Sequence, residues 1–373
     1  MGNTLSRREF LGGTAGAAAL AGLGVGTDSQ ANAVEADTKK SKPAQSVFPR
    51  WRGFNLLYMF TANGYQAPVE DDFRWASDWG FDFIRLPMSY RIWTDIKEVY
   101  KIKEKPFERI DKVVEWGKKY GLHISMNFHR GPGYCVNRGE TEPFDLWKDS
   151  EALKAFAYHW EFFAKRYKGI SSKRLSFDLI NEPKRPSEKG MTRKDYERVV
   201  RATVKTIRAV DPDRLIVADG LSWGTDPLPE LADLKIGQSC RGYTPSGISH
   251  YHASWVDRNL SFPEPIWPDT EGKTHKMTRK RLEIHYDRWA DIARQGVGVH
   301  CGECGCYNKT PHKVFLAWFR DVLEILTGHN IGYALWNLRG SFGVVDSGRA
   351  DVEYKDFHGH KLDKKLLDLL QKF

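Results

Sequence analysis

The sequence predicts an α/β fold, a closed (β/α)8 TIM barrel, in a single domain that spans residues 47–373. Three observations lead to this prediction. Past residue 46, eight short apolar runs alternate with amphipathic helical patterns. The connections between the runs are too long for β-hairpins and suit helical crossovers between parallel strands. The chain of 373 residues also has room for a barrel of ~250 residues with extended loops.

Each predicted strand is a short apolar run bounded by turn-forming residues. The eight runs are Gly53–Leu57, Phe81–Leu86, His123–His129, Leu175–Asn181, Leu215–Ala218, Gly247–Tyr251, Val297–Glu303 and Gly332–Asn337. The helical patterns between them include Phe107–Tyr120, Glu151–Tyr167, Arg193–Val210, Lys280–Arg294 and His312–Leu326. A doubly wound open sheet is the alternative, but no glycine-rich phosphate loop follows the first strand.

Two connections are longer than the others. Residues 130–149 follow the third predicted strand, and residues 252–279 follow the sixth. In a parallel barrel, the loops that follow strands lie on the C-terminal face, where active sites are built. We therefore expect these two loops to border the functional site.

The first 33 residues have the order of an export signal. The pair Arg7-Arg8 precedes a stretch rich in Ala and Gly, and a small-residue cleavage site ends at Ala33. A frayed basic N-terminus is the alternative interpretation. We predict a twin-arginine signal peptide over residues 1–33, a polar linker over residues 34–46, and export to the periplasm or the extracellular space.

The charge distribution argues against several partners. The formal net charge is +9, from 57 Lys and Arg residues against 48 Asp and Glu residues. The basic residues are dispersed beside acidic ones on helical patterns, so we expect no nucleic-acid partner. No run of 18 or more uncharged apolar residues occurs beyond the extreme N-terminus, so we expect no stable membrane anchor after signal cleavage. We also expect a monomer.

The five cysteines do not resemble an extracellular disulfide framework. Their number is odd, and Cys301, Cys304 and Cys306 crowd into one segment. Together with His300 they raise the alternative of a metal site, but strand alternation places them on different faces and their spacing fits no structural zinc pattern well. We expect small buried thiols, and the sequence predicts no metal and no cofactor.

Polar side chains interrupt two apolar strands near their C-terminal ends. Arg85 lies on the opposite face of its strand from Ile84 and Leu86, because side chains alternate with a period of two. If those two pack beneath helices, Arg85 points into the mouth of the barrel, where a guanidinium usually needs a carboxylate partner. His129 ends the third strand, and a structural role and a functional role are both open for it.

The fourth strand ends in a polar pair. Asn181 and Glu182 follow an apolar run, and Pro183 stops the hydrogen-bond ladder, so the pair projects at the rim of the barrel. A solvated loop carboxylate is the alternative interpretation of Glu182.

A second glutamate, Glu303, ends the seventh strand and by alternation shares a face with Val299 and Cys301. A carboxylate at that depth needs donors or a positive partner, and Arg85 is the natural candidate. Glu182 and Glu303 together form an acid/base pair at the C-terminal ends of two barrel strands. Cleavage of a glycosidic bond requires such a pair.

These segments, in this order, resemble glycoside hydrolase family 5, in the clan of (β/α)8 retaining glycosidases. The matching segments are Ile84-Arg85-Leu86-Pro87, Asn127-Phe128-His129, Leu179-Ile180-Asn181-Glu182-Pro183, His250, Cys301-Gly302-Glu303-Cys304-Gly305 and Leu335-Trp336-Asn337. The Asn-Glu-Pro and Gly-Glu motifs are specific together and weak alone. The resemblance implies an enzyme that hydrolyses O-glycosyl bonds in a β-linked polysaccharide or oligosaccharide, and we expect a β-glucan that is cleaved internally.

The resemblance also implies a role for each matching residue. Glu182 is expected to be the acid/base, and Glu303 the nucleophile that forms a covalent glycosyl-enzyme. Asn181 is expected to hydrogen-bond the sugar 2-hydroxyl, and Arg85 to hold Glu303 ionised. The residues expected to shape the sugar subsite at the cleavage point are His129, His250 and Trp336.

The sixth strand departs from the family pattern. The family usually places a Tyr two residues after the His of this strand, with its hydroxyl near the nucleophile, whereas the order here is His250-Tyr251-His252. Either His252 replaces that Tyr, or a bulge turns Tyr251 inward. We assign both to substrate binding and leave the choice between them open.

Tryptophans in the loops are candidate platforms for sugar rings. The chain has 13 Trp, 15 Tyr and 20 Phe residues. Flat rings at strand ends and in loops can stack on sugars, although core packing is the default role of any single one. The candidates are Trp147, Trp223, Trp255 and Trp267, of which we select Trp223 and Trp255.

Two other functions fit parts of the sequence. A metal-dependent hydrolase barrel would use His250 and His252, which share a face, but leaves the Asn181-Glu182-Pro183 motif unexplained. A non-catalytic sugar-binding barrel would keep the aromatic residues and could lose a carboxylate, whereas this chain has both.

Overall fold

Eight parallel strands pair around a closed ring in the computed structural model, which describes residues 48–137, 141–274 and 276–373. They are β1 (Arg52–Asn55), β2 (Phe83–Ser89), β3 (His123–Gly131), β4 (Leu175–Asp178), β5 (Leu215–Asp219), β6 (Gly237–Gly242), β7 (Val299–Cys304) and β8 (Gly332–Leu335). Each strand pairs with its neighbours in chain order, and β1 pairs with both β2 and β8. The predicted export signal and linker lie outside the described residues.

Helices follow most of the strands and form the outer layer. They are α1 (Glu70–Asp78), α2 (Phe107–Lys119), α3 (Ser150–Arg166), α4 (Arg193–Val210), α5 (Arg279–Arg294), α6 (His312–Gly328) and α7 (Lys364–Lys372). Short helical segments are Tyr90–Ile92, Leu221–Gly224, Pro229–Leu234 and Ser246–Ser249, and short strands are Tyr134–Cys135, Lys355–Phe357 and His360–Leu362. Among the described residues, no helix has the length and apolar character needed to cross a membrane.

Helix α4 illustrates why these segments are helical. Its N-terminus carries a capping box in which the Thr192 side chain accepts from the Asp195 backbone N–H, and the Asp195 carboxylate accepts from the Thr192 N–H. The residues it buries recur with helical spacing and are Tyr196, Val199, Val200, Thr203, Val204 and Ile207. This apolar stripe packs the helix against the barrel.

The floor of the barrel is aromatic. Phe48, Trp51 and Phe83 pack together with rings less than 6 Å apart. A Cβ atom at Gly237 or Gly298 would lie within 2.3 Å of the Phe48 ring, so both positions need glycine. These aromatic rings close the N-terminal end of the barrel. The polar ends of the strands lie at the opposite, C-terminal end.

Seven of the eight predicted strands overlap observed ones, but the prediction of the sixth strand was wrong. Strand β6 lies earlier in the chain than the predicted Gly247–Tyr251, part of which forms the short helix Ser246–Ser249. The reason is that β6 is buried yet polar. For example, its Gln238 is satisfied by the backbone N–H and carbonyl of Leu228, at 2.9 and 2.7 Å. A search for apolar runs therefore passes over it.

Candidate active site

Buried charges gather at the C-terminal end of the barrel. Arg85 extends from β2 into the barrel, while its neighbours Ile84 and Leu86 lie in the apolar layer under the helices. Strand β6 contributes a second buried arginine, Arg241. The carboxyl groups around the two guanidiniums are those of Asp178, Glu182, Asp219 and Glu303.

Glu303 is buried and well supplied with donors. Its Oε1 accepts from Arg85 Nη1 at 2.6 Å and from Arg241 Nη2 at 3.4 Å, and its Oε2 accepts from the Tyr243 hydroxyl at 3.1 Å. Two guanidiniums and a hydroxyl donor surround the carboxyl group and fix its orientation. Glu303 is therefore equipped to act as a nucleophile.

A strand irregularity turns Glu303 towards Arg85. In the pairing with β6, Cys240 lies opposite Cys301 and Arg241 lies opposite Glu303, so Gly302 is an extra residue. Such a bulge changes the direction of a side chain. The expectation that Glu303 shares a face with Val299 and Cys301 was wrong. The side chains of those two residues lie in the apolar layer between the barrel and the helices.

Gly302 leaves space at this bulge for the side chains around it. A Cβ atom there would lie 2.5 Å from Ser239 Oγ and 3.3 Å from Arg241 Nη1. The glycine thus makes room for the second guanidinium beside Glu303.

Glu182 has a strained backbone and is the fourth residue after the end of β4. Its φ of 48° lies in the left-handed region, which costs a non-glycine residue about 1–3 kcal/mol. Its N–H donates to Asp219 Oδ2 at 2.8 Å, and its carbonyl accepts from the Tyr134 hydroxyl at 2.7 Å. These bonds on both sides of the residue hold the strained conformation, and they fix where the carboxyl group projects.

The surroundings of the Glu182 carboxyl group differ from those of Glu303. Burial and the nearby charge of Glu303 raise the pKa of Glu182 to about 8, although Arg241 Nε, 3.1 Å from Oε1, acts in the opposite direction. The side chain is 17% exposed, at the rim of the barrel. Glu182 therefore keeps its proton at neutral pH and presents it where a leaving group can reach it.

Asn181 is held by both arginines. Its Oδ1 accepts from Arg85 Nη2 and from Arg241 Nη2, at 2.9 Å each. A guanidinium only donates, so the amide oxygen must face the arginines and the amide nitrogen must face away from them. That nitrogen lies 3.4 Å from His129 Nε2, in the direction where a sugar hydroxyl would lie.

Arg85 is oriented by two further side chains. Its Nε donates to Asp178 Oδ2 at 2.7 Å, and its Nη1 donates to Asn55 Oδ1 at 3.1 Å. Asn55 in turn donates to the carbonyls of Gly302 and Leu335 at 3.0 and 3.1 Å. Burial raises the pKa of Asp178 to about 6, against the effect of Arg85. The guanidinium is thereby locked in the plane that serves Glu303.

His129, Trp336 and Phe60 form one aromatic wall of the site. The ring centroids of Phe60 and His129 are 4.5 Å apart, and Trp336 lies 5.6 Å from each. Burial, with the nearby Arg130 and Arg85, lowers the pKa of His129 well below its usual value. His129 is therefore neutral and can accept or donate a hydrogen bond to a sugar.

The tyrosine that donates to Glu303 is Tyr243, and neither Tyr251 nor His252 takes this place. The chain leaves β6 as Arg241-Gly242-Tyr243, so the Tyr that the resemblance leads us to expect follows the observed sixth strand. Tyr251 and His252 lie in the following loop, where each packs against Phe262. Neither of the two alternatives proposed for them from the sequence is correct, because both assumed a strand at 247–251.

His250 was also assigned to the wrong element but lies near the site. It follows the short helix Ser246–Ser249, and its ring centroid is 4.9 Å from that of Tyr243. Burial lowers the pKa of His250 to about 4, and its Nδ1 lies 2.8 Å from Ser249 Oγ. His250 therefore supports Tyr243 as a neutral packing partner.

The four candidate tryptophans have different surroundings. Trp255 is 50% exposed and packs edge-on against Tyr307. Trp223 is 39% exposed, and its backbone N–H donates to the Pro183 carbonyl at 3.0 Å. Trp147 is buried, which removes it as a platform. The half-buried Trp267 donates its indole N–H to a side chain of α6.

A cavity of about 270 Å³ opens next to the aromatic wall, on the side of β1 and β8. Its lining includes Asn55, Phe60, Tyr65, Asn337 and Arg339. The side-chain oxygen of Asn337 is buried and lacks a hydrogen-bond partner among the described residues. The cavity thus combines an aromatic side with polar groups, as sugar-binding sites do.

The cysteines near Glu303 are packed as buried thiols. Cys301 donates to the Glu303 carbonyl at 3.4 Å, and Cys304 donates to the Ala334 carbonyl at 3.3 Å. His300 points the other way, into the barrel, and its Nε2 lies 3.2 Å from the Trp51 carbonyl. Within the part of the chain that the structure describes, no three His, Cys, Asp or Glu side chains are grouped to hold a metal ion.

The sequence analysis missed five residues of this site: Asn55, Asp178, Asp219, Arg241 and Tyr243. Asp219 directly follows the predicted apolar strand Leu215–Ala218, and that signal was available, whereas Asp178 lies inside the predicted run Leu175–Asn181. Arg241 and Tyr243 were missed together with β6.

The chain is similar to known proteins over most of its length. The family model described as cellulase, glycosyl hydrolase family 5, matches residues 37–341. Endoglucanase C of Acetivibrio thermocellus is 26% identical over 309 residues, which cover 76% of this chain and 88% of that protein. Cellodextrinase A of Ruminococcus flavefaciens is 25% identical over 270 residues, which cover 70% of this chain and 76% of that protein.

Solved structures share the barrel. A crystal structure described as a glycoside hydrolase superposes with a TM-score of 0.83 at 42% identity, covering 87% of this chain and 99% of the other. Thermotoga maritima Cel5A in complex with a mannotriose substrate superposes with a TM-score of 0.68 at 21% identity, covering 86% of this chain and 97% of the other. The second likeness concerns the fold alone.

Proposed function

The chain belongs to glycosyl hydrolase family 5, and from this premise we propose that it cleaves a β-glucan internally, with Glu182 as acid/base and Glu303 as nucleophile. The enzyme hydrolyses O-glycosyl bonds in a β-linked glycan and retains the anomeric configuration. One observation carries the proposed roles: burial and the charge of Glu303 raise the pKa of Glu182, whereas two arginines and Tyr243 bind Glu303.

In the first step, an oxygen of Glu303 attacks the anomeric carbon. The bond from that carbon to the leaving oxygen breaks, and Glu182 transfers its proton to that oxygen. Asn181 presents its amide nitrogen to the 2-hydroxyl of the sugar, a contact that strengthens as the ring approaches the oxocarbenium geometry. The products are a glycosyl ester on Glu303 and an ionised Glu182.

In the second step, Glu182 acts as a base. It takes a proton from a water molecule, whose oxygen attacks the anomeric carbon and releases Glu303. The two inversions restore the original configuration, and both carboxyl groups return to their starting protonation states.

The proposed substrate rests on relatives and on ring surfaces. Two relatives named above are an endoglucanase and a cellodextrinase. Trp336 lies in the wall beside His129, and the exposed Trp223 and Trp255 offer further faces on which glucose units can stack. Several platforms in one site suit a chain that is bound along its length and cut internally.

The roles of the two glutamates can be tested by isosteric substitution. Glu182→Gln and Glu303→Gln should each lower kcat on a soluble β-glucan by about a thousandfold or more, and Glu115→Gln, at an exposed position on α2, should not. NMR of the first product should show the anomer of the substrate. Near-normal activity in either site variant, or an inverted first product, would contradict the proposal.

We also propose that residues 1–33 direct export by the twin-arginine route and are then removed, and that the mature enzyme is a monomer in the periplasm or outside the cell. The Arg7-Arg8 pair and the small-residue site ending at Ala33 support the route. Export is consistent with the proposed substrate, because an exported enzyme would meet a soluble polymeric glycan outside the cytoplasm.

A further inference from the structure

The second arginine of the site stands where the family pattern leads one to expect a histidine. In the pattern described with the resemblance above, a His precedes this Tyr by two residues, and here Arg241 occupies that position before Tyr243. The change is not conservative. A histidine can gain or lose a proton near neutral pH, whereas a guanidinium stays charged and only donates hydrogen bonds.

Arg241 forms a unit with Asp219. Its two Nη atoms both donate to the Asp219 carboxylate, one of them at 3.0 Å, and Nη1 also donates to Ser239 Oγ at 2.9 Å. Both side chains are buried, and their fork-to-fork pairing fixes the guanidinium plane. The unit is therefore rigid and close to neutral overall.

This unit binds Glu182 at two points. Arg241 Nε donates to Glu182 Oε1 at 3.1 Å, and Asp219 Oδ2 accepts the Glu182 N–H at 2.8 Å. One contact orients the carboxyl group, and the other stabilises the left-handed backbone that carries it.

The contact of Arg241 with the nucleophile is weaker. Its Nη2 lies 3.4 Å from Glu303 Oε1, an oxygen that already accepts from Arg85 at 2.6 Å. Tyr243 serves the other oxygen. Glu303 therefore keeps strong donors when Arg241 is altered, whereas Arg241 Nε is the charged donor that contacts the Glu182 carboxyl group.

We propose that Arg241 is the positioning residue of the acid/base, and that it acts by binding the Glu182 carboxylate that forms when the proton leaves. As Glu303 attacks, its negative charge is consumed in the new ester bond, and an equal charge appears on Glu182 next to Arg241. The total charge of the cluster is unchanged, so Arg241 has only to tighten an existing bond. This inference rests on the proposed role of Glu182.

The leaving group of the substrate separates this role from an effect on the nucleophile. A dinitrophenolate departs without a proton, whereas a phenolate departs much better with one, so only phenyl glycosides depend strongly on the general acid. In Arg241→Lys, kcat/KM should fall at least about tenfold more for phenyl β-cellobioside than for dinitrophenyl β-cellobioside. In Tyr243→Phe, which touches Glu303, the two substrates should lose similar factors.

A pH profile gives a second measurement. In Arg241→Gln, loss of the positive charge should move the alkaline limb of kcat/KM to higher pH, because Arg241 opposes the rise in the pKa of Glu182. Arg241→Lys, which keeps the charge, should leave the limb closer to that of the wild type. The proposal would be overturned if Arg241→Lys lost the same factor in kcat/KM on both glycosides and the alkaline limb of Arg241→Gln stayed at the wild-type pH. Activity of the wild-type enzyme on the same glycosides tests the proposed function separately.

Discussion

The Tyr243 hydroxyl donates to Glu303 Oε2 across 3.1 Å. The bond joins the first residue after β6 to a residue on β7, and it supplies the donor that the family pattern requires near the nucleophile. Burial and the charge of Glu303 raise the pKa of Tyr243 well above its usual value, so the hydroxyl stays protonated and remains a donor.

Removal of this donor should impair catalysis without disturbing the fold. Tyr243→Phe should lower kcat by about 10- to 100-fold, since a hydrogen bond to a charged group contributes about 1.5–3 kcal/mol. The matched control is Tyr251→Phe, whose ring lies in the next loop against Phe262 and which should retain wild-type kcat. Steady-state kinetics on one aryl glycoside measures both. A larger loss in Tyr251→Phe than in Tyr243→Phe would contradict the assignment.

The pKa of Glu182 predicts the alkaline limit of activity. The acid must be protonated to help the leaving group depart, and burial raises its pKa to about 8. The kcat/KM for phenyl β-cellobioside should therefore decline above about pH 8, by tenfold per pH unit. The decline should be absent in Glu182→Gln assayed with dinitrophenyl β-cellobioside. A limb near the usual pKa of a Glu side chain would contradict the raised pKa of Glu182, and a limb that persists in Glu182→Gln would show that another group is responsible.

The same pKa predicts how stability depends on pH. Between about pH 4.5 and pH 8 the folded protein keeps the proton on Glu182 while the unfolded chain has lost it. The folded state then binds more protons, so this group makes the protein less stable as pH rises. Glu182→Gln should thus unfold at a higher temperature than the wild type at pH 8, by on the order of 2–5 °C.

That difference in unfolding temperature should shrink towards pH 5, where wild-type Glu182 and the amide are both neutral in the folded state. Differential scanning calorimetry of the two proteins at pH 5 and pH 8 measures it. A difference that does not change with pH would mean that the titration of Glu182 is not its source.

The exposed tryptophans should matter for long substrates. Trp255→Ala and Trp223→Ala should each raise KM for a soluble β-glucan about 2- to 10-fold, as expected for the loss of a stacking face. Both should leave kcat on a short aryl glycoside nearly unchanged. Ile284→Ala is the control, because Ile284 is 56% exposed on α5. An unchanged KM in both tryptophan variants would remove them from the binding site.

The export route can be tested with the full-length chain. Replacement of Arg7 and Arg8 by Lys should retain the enzyme in the cytoplasm of a host that has the twin-arginine pathway. Fractionation followed by an activity assay measures this, and the mature wild-type protein should begin directly after Ala33. Export of the Lys-Lys variant at the wild-type level would contradict the proposed route.

The sequence predicted the barrel because seven of its strands are apolar and separated by helical patterns. It predicted the contact between Arg85 and Glu303, although alternation placed Glu303 on the wrong face. Period-two alternation fails at a bulge. Within residues 299–304, Gly302 is the one residue that indicates a bulge in the sequence. The bulge is recognised from the pairing of β7 with its neighbouring strand β6.

Strand β6 was beyond the reach of hydrophobic patterning. Gln238 and Arg241 are tolerated inside the barrel only because Leu228 and Asp219 satisfy them, and those partners come from other parts of the chain. Polar strands of this kind are recognised by their partners in space. The residues that the sequence analysis missed contact the charged cluster for the same reason, because their partners come from other parts of the chain.

The thiols behind the nucleophile also have a practical use. The side chains of Cys240, Cys301, Cys304 and Cys306 are fully buried in the β6–β7 side of the barrel. A thiol-specific dye reaches such groups only when this part of the protein opens. The time course of labelling, followed residue by residue with mass spectrometry, would therefore report how often the β6–β7 side of the barrel opens, in the native enzyme and with no engineered probe.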